Sequence, residues 1–178
     1  MDIIALMVTL VGGILVLVSY IIVFGRLTPG NYFTHPFWYD IKADVIKVLL
    51  VFQSLAAIGF LTAISSWIIN PPSNGLMGRS GALSSTLGVF LATAALWPWM
   101  VHMNYPALTV GSLLGTAAAS IALLAGAIEE DNPKWWIVWG TLQLSACTVL
   151  GDGVMWNAKY IKSKLQNKSL AVLNVKQV

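Results

Sequence analysis

Long stretches without a charged side chain dominate the sequence and leave few ways for the chain to fold. The first, Ile3 to Phe24, has 22 residues without Asp, Glu, Lys or Arg. That length is about 33 Å of α-helix and matches the roughly 30 Å hydrocarbon core of a bilayer. Only 10% of all residues are charged, against about 25% in water-soluble chains, and 57% are hydrophobic. The sequence therefore predicts an integral, multi-pass membrane protein.

Five predominantly apolar stretches are long enough to cross a membrane, so we predict an all-α bundle of five transmembrane helices in one domain. The predicted spans are about 3–24, 43–69, 81–103, 107–128 and 134–158. Turn-forming residues separate them. The remaining parts are an aromatic segment at the membrane surface, 25–42, and a basic cytoplasmic tail, 165–178. For the tail, disorder, an edge strand and an interfacial anchor all stay open.

Aromatic residues indicate where the chain meets the membrane surface. Trp135 and Trp136 stand at the start of the last span, and a group of lysines follows its end, as expected for rings and cations at the water–lipid boundary. Trp38 and Tyr39, in the 25–42 segment, are the other interfacial residues that we predict. The segment has two interpretations, an ordinary aromatic belt, which we favour, and a lid or docking surface.

The distribution of basic residues predicts the orientation. Five crossings place the termini on opposite sides, and eight of the ten Lys and Arg residues fall on the side of the first connection and the C-terminus. Because Lys and Arg are enriched in cytoplasmic loops, we predict an outside or lumenal N-terminus and a cytoplasmic C-terminus. The sequon at Asn167 is then cytoplasmic and stays unmodified.

The net charge of +3 does not indicate a nucleic-acid partner. Most basic residues lie beside or between predicted spans, and no basic run is interleaved with aromatic residues that could stack on bases. We therefore expect the lipid bilayer and other membrane-protein subunits as partners, and no nucleic acid.

Asp152 is the one acidic residue well inside a predicted span, which makes it the first candidate for a functional residue. A charge at the centre of a span costs at least about 2.5–3.5 kcal/mol, and such residues usually serve a function. Residues three or four apart share one side of an α-helix, so Asp152 also continues a polar face. Its predicted members are Thr141, Ser145, Thr148 and Asp152, with Trp156 at the end.

Three roles for Asp152 are open at the level of sequence. It could bind a proton, a cation or a polar head group in a pathway along the polar face. It could hold helices together, and Lys47 is then the expected partner because it enters the second span from the same side at a similar depth. It could also extend to the nearby cytoplasmic surface, where water solvates its charge.

The fourth span is rich in small residues, which allow transmembrane helices to approach closely. Gly111 and Gly115 are four apart on one face, and Ala118, Ala122 and Gly126 keep that spacing on a neighbouring face. We expect this helix to be buried among the others.

Residues suited to catalysis or metal binding are scarce, so we predict a protein that is not an enzyme and has no cofactor and no metal site. His35 and His102 fall on one predicted side, but two histidines without a cysteine or carboxylate cluster do not make a zinc site. No nucleophile elbow, phosphate-binding loop or H-E-x-x-H motif occurs. Cys147 lies in the middle of a span, where inert packing is the expected role.

Three sequence patterns carry a resemblance to a known group of proteins. They are H-P-F-W-Y-D-I at 35–41, N-P-K-W-W at 132–136 and G-D-G-V-M-W-N-A-K-Y-I at 151–161. Together they resemble small uncharacterised multi-pass membrane proteins of large DNA viruses of algae and other protists. The resemblance covers most of the chain and implies a setting in the internal membrane of a virion or in a remodelled host membrane. It supplies no catalytic residues.

From these features we predict a non-enzymatic structural or accessory subunit of a membrane assembly. Short loops leave no room for a separate soluble domain, so partners are expected to meet the helices, the 25–42 segment or the tail. The alternative is a small transporter or proton-coupled carrier that uses Asp152. A lipid-modifying enzyme is a more distant third.

Overall fold

All regular secondary structure in the described part of the chain is helical. The computed structural model describes residues 2–27, 38 and 41–175. Side chains are described for residues 2–23, 38 and 41–166. The helices are α1 (Ile3–Leu27), α2 (Ala43–Ile69), α3 (Ala82–His102), α4 (Pro106–Ile128), α5 (Trp135–Ala146), a π-helix (Cys147–Trp156) and α6 (Asn157–Val175). Within these ranges there is no strand, so the all-α fold class is confirmed.

Four helices are long and apolar enough to cross a membrane, namely α2, α3, α4 and the Ile3–Val23 part of α1. Capping hydrogen bonds and prolines determine where these helices begin and end. The Asp2 carboxylate accepts a hydrogen bond from the Ala5 N–H at 2.9 Å, which satisfies one of the unpaired donors at the start of α1. Pro71 cannot continue α2, and Pro106 opens α4 where its missing N–H costs nothing.

The helices pack as an open arc in which α1 and α3 run parallel, since the contacts advance from Gly12 with Leu91 to Ser19 with Ala95. α1 packs on α3, α3 on α4, α4 on α5 and the π-helix, and α5 on α2. α1 and α2 make little contact with each other. At one end of the bundle they are joined by a hydrogen bond from the Asp2 N–H to the Ile68 carbonyl at 2.9 Å. A gap therefore separates α1 from α2 in the middle of the bundle.

Opposite charges collect at the two ends of the bundle. We call one the acidic end; it contains Asp2 and the connections 70–81 and 129–134. The other is the basic end, where the connection 103–105 meets the start of α6. Each end has its own buried cluster of apolar side chains, built around Trp67 and Leu123 at the acidic end and around Trp97, Trp156 and Tyr160 at the basic end.

The three carboxylates of the acidic turn between α4 and α5 accept hydrogen bonds from the end of α2 and from the connection 70–81. The pairs are Leu76 N–H to Glu129 Oε2 (3.1 Å), Trp67 Nε1 to Glu130 Oε1 (2.5 Å) and Asn74 Nδ2 to Asp131 Oδ2. Hydrogen bonds to charged acceptors are among the stronger ones in proteins. The acidic end is therefore a packed cap in which the two connections hold each other.

α2 and α5 cross in close contact at Gly59 and Gly140. A Cβ added to Gly59 would lie 2.6 Å from the Gly140 carbonyl oxygen, a distance that real Cβ atoms essentially never show. Both positions are buried. The absence of side chains therefore lets the two backbones touch, as is common between transmembrane helices.

The small residues of α4 have mixed environments. A Cβ at Gly115 would meet Thr93 of α3 at 2.9 Å, and Gly126 lies against Met77. Ala122 is partly buried against the acidic-end cluster. Gly111 and Ala118 are exposed, and a Cβ at Gly111 would have no atom within 4 Å. Close packing of α4 therefore uses Gly115 and Gly126, and not the whole predicted pattern.

The region of the last predicted span differs from a regular α-helix. It becomes π-helical from Cys147 to Trp156 and then continues as α6 to Val175. The backbone of the predicted tail is therefore helical as far as Val175, with residues 176–178 outside the described part.

Two of the four predicted interfacial residues are exposed. Trp135 and Trp136 are 73% and 39% exposed. Trp38 is only 4% exposed and packs in the basic-end cluster, so its ring is covered by protein. Tyr39 and most of the 25–42 segment lie outside the described residues.

Candidate functional site

A cleft of about 520 Å³ lies in the middle of the bundle, where α1 and α2 separate. Its walls come from α1, α2, α3, one residue of α4, and the α5 and π-helix region. Most of the lining is apolar, with Phe60, Phe90 and Trp97 the largest side chains. The polar lining groups are Gln53, Thr116, Cys147, Thr148 and Asp152, besides the hydroxyl of Tyr20. Large apolar cavities with a few convergent polar groups are the usual form of small-molecule sites.

Asp152 of the π-helix lines this cleft and is partly buried. Leu144, Cys147 and Thr148 line the cleft from the same side. The π-helix begins at Cys147 and closes i→i+5 hydrogen bonds, so this wall of the cleft passes from α5 into a wider helical turn.

Gln53 of α2 lies beside the Asp152 carboxyl group. It lines the same cleft from the opposite helix. We did not single out Gln53 from the sequence. The sequence signal that could have identified it is that Gln53 is the one amide side chain in the body of α2. The other residues there are apolar residues, Ser and Thr.

Lys47 does not form the ion pair with Asp152 that we expected. Its ammonium group lies 3.1 Å from Asp44 one turn earlier in α2, and both side chains are largely exposed. Residues three apart on a helix are neighbours, so Lys47 has a partner at the surface without reaching inward. Gln53 lies further along α2 than Lys47 and takes the place next to Asp152.

The rest of the predicted polar face contacts α4. The Ser145 hydroxyl donates to the Ser120 carbonyl at 2.7 Å, and the hydroxyls of Thr148 and Ser120 are 2.6 Å apart. Thr141 is fully buried and donates to the carbonyl of Ile137 within its own helix at 2.8 Å. Thr141, Ser145 and Thr148 are therefore hydrogen-bonded within the bundle, and Thr148 also lines the cleft with Asp152.

A ladder of aromatic rings closes the cleft toward the basic end. Tyr20 meets Trp97 edge-on at 5.8 Å, Trp97 meets Trp156 at 5.2 Å, and Trp156 stacks on Tyr160 at 4.9 Å between ring centroids. Lys164 lies over the Tyr160 ring and bonds Asn104, which fixes α6 to the turn between α3 and α4. Trp156, at the end of the predicted polar face, belongs to this ladder.

No family model, curated protein or solved structure matches the chain.

The polar groups that surround the Asp152 carboxyl group in the cleft are hydroxyls, a thiol and an amide, all of them uncharged hydrogen-bonding groups.

No group of three or more His, Cys, Asp or Glu side chains suited to a metal ion occurs within residues 2–23, 38 and 41–166. His102 lies at the exposed end of α3 beside Trp99, and His35 is outside the described residues. The arrangement is suited to holding a small donor group, attached to an apolar body, against Asp152 and Gln53.

Proposed function

We propose that the chain is a five-crossing integral membrane protein that acts as a non-enzymatic structural or accessory subunit of a membrane assembly. The observation that carries the proposal is the apolar outer surface of the bundle. Ile4, Leu17 and Ile21 of α1 are 68%, 64% and 68% exposed, and Ile58 and Leu61 of α2 are 60% and 62% exposed. Water-soluble monomers rarely expose apolar patches larger than a few hundred Å².

The fifth crossing in this proposal is formed by α5 and the π-helix together, which follow α4 after the connection 129–134. The orientation rests on charge, since Lys42, Lys159 and Lys162 lie on the basic side and the acidic turn on the other. We propose a cytoplasmic C-terminus and an outside or lumenal N-terminus. The viral resemblance supports the internal membrane of a virion, or a remodelled host membrane, as the setting.

An accessory role is supported by how α1 is held. It packs on α3 along one side, through Gly12 against Leu91 and through a 2.7 Å hydrogen bond from Ser19 to the Ala95 carbonyl. Its other sides are exposed. This exposed apolar surface of α1 is therefore available for contact with the helices of another subunit.

The test is to isolate the tagged chain from its native membrane after cross-linking, and to compare it with variants that enlarge one exposed position. We expect another membrane protein at a fixed molar ratio, lost in Ile14→Trp on α1 and kept in Ile121→Trp on α4. These positions are 60% and 51% exposed. A chain that is monomeric and alone in every mild detergent would contradict the accessory role.

The cleft favours a second candidate, a small transporter or proton-coupled carrier that uses Asp152. A carboxyl group on the wall of a central cavity is typical of ion and proton pathways in membrane proteins. In reconstituted vesicles this function requires proton or solute flux that Asp152→Asn abolishes and Asp44→Asn preserves. Flux that is unchanged in Asp152→Asn, or no flux at all, excludes the carrier.

A further inference from the structure

We propose that the cleft between α1 and α2 binds an amphipathic amine, a molecule with one ammonium group on an elongated apolar body. The ammonium group lies against Asp152 and Gln53, and the apolar body extends toward the gap between α1 and α2. The inference rests on the membrane location in the proposed function, and it is independent of the accessory role.

The volume of the cleft selects a small molecule and not a protein helix. Ligand sites are commonly about 300–1,000 Å³, and the cleft has about 520 Å³. A membrane-spanning helix of 30 Å length and 10 Å diameter occupies roughly 2,400 Å³. One apolar chain or a small ring system fits the cleft, and a partner helix does not.

The acidic side chain in the cleft favours a ligand with a cationic head group. Among the described residues that line the cleft, Asp152 is the acidic one and none is Lys, Arg or His. A carboxylate held among apolar side chains gains most from a directly bonded cation, because charge-assisted hydrogen bonds are stronger than neutral ones. An ammonium group has three donors, so it can bond the Asp152 carboxylate and the amide oxygen of Gln53 together. An anionic lipid head would be repelled from the same place.

The apolar body has a defined path. Phe60 and Phe90 form a stacked pair at 5.4 Å and both line the cleft. Gly13 lines it from α1, and a Cβ added there would have no atom within 4 Å. Leu17 and Leu61 line the cleft yet are more than half exposed, which places them at its mouth. A chain that leaves the polar end therefore passes Gly13 and emerges between α1 and α2.

Radiolabelled hexadecylamine is the probe, and its binding to purified full-length protein in neutral detergent is measured by scintillation proximity. We expect saturable binding that excess hexadecylamine displaces and that hexadecanoic acid does not. Asp152→Asn should weaken binding by about tenfold or more, the loss expected when a hydrogen bond to a charged group is removed. Asp44→Asn, which changes an exposed acid outside the cleft, should leave binding unchanged.

Two glycine variants test the location. Gly13→Leu fills the cleft and should abolish binding, whereas Gly111→Leu adds the same side chain at an open position outside the cleft and should preserve it. Because neither Cβ meets a neighbouring atom, thermal unfolding should show both variants folded. Equal binding in wild type and Gly13→Leu would overturn the site.

Two other outcomes would contradict the proposed ligand or the proposed site. If hexadecanol binds as tightly as hexadecylamine and Asp152→Asn has no effect, the cleft holds a neutral lipid chain and the cationic head group is wrong. If no saturable binding occurs, the site is wrong. The membrane location is tested separately by resistance of the chain to extraction from membranes at alkaline pH, so failure of this inference is distinguishable from failure of the proposed function.

Discussion

Single residues decide how closely the helices pack, and Gly59 is the clearest case. Gly59→Leu places a side chain against the Gly140 backbone, which cannot move aside as a flexible side chain can. Overpacking usually costs about 1–3 kcal/mol, and we expect at least the upper part of that range in the free energy of unfolding. Reversible unfolding in mixed detergent micelles measures the loss. Gly111→Leu, at a position without neighbours, is the control and should cost little.

Thr148 provides a second test at the same scale. Thr148→Val keeps the shape of the side chain and removes the hydroxyl that lies 2.6 Å from the Ser120 hydroxyl. Hydrogen bonds between membrane helices contribute about 0.6 kcal/mol on average and up to about 1.7 kcal/mol, and we expect a loss of that size in the same unfolding measurement. Thr62→Val is the matched control, because the exposed Thr62 bonds only a carbonyl of its own helix. Equal losses in the two variants would show that the bond between α4 and the π-helix contributes nothing.

Among the elements, the π-helix contributes Asp152 to the site, and its position opposite α2 can be tested by cross-linking. With Cys147→Ala as background, cysteines at positions 53 and 152 should form a disulfide on mild oxidation, since Gln53 and Asp152 are neighbours. Cysteines at positions 120 and 152 should not, because Asp152 lines the cleft whereas Ser120 is buried outside it against Thr148. Mobility on non-reducing gels reports both pairs. The opposite result would show that residue 152 faces α4 and not α2.

For the whole molecule, the separation of charge predicts how the bundle is oriented. With Cys147→Ala as background, Ser80→Cys at the acidic end should react with a membrane-impermeant maleimide from outside intact cells. Lys162→Cys at the basic end should react only after permeabilisation. Both positions are exposed. Labelling of both from one side would contradict five crossings, and glycosylation at Asn167 would contradict a cytoplasmic C-terminus.

The site was predictable in part. Asp152 stood out because an acid in an apolar span is costly, and Thr148 shared its predicted face. Gln53 and Cys147 did not stand out, because their place in the cleft depends on which helix lies opposite and on the phase of the π-helix. The Lys47 expectation used depth along the helix, but Asp44 lies three residues away on the same helix and is nearer. Gly59 and Gly140 are single glycines in separate helices, and only packing shows that they meet.

The sequence by itself determined the helical class, the approximate limits of α2, α3 and α4, and the separation of basic from acidic residues. These follow from local properties, since hydropathy, proline geometry and charge act within a few residues of where they occur. The tertiary structure alone decided that the helices form an open arc, that a cleft separates α1 from α2, and that Asp152 faces Gln53. Those features depend on contacts between helices that are distant in sequence, and the order of apolar residues along one helix does not encode those contacts.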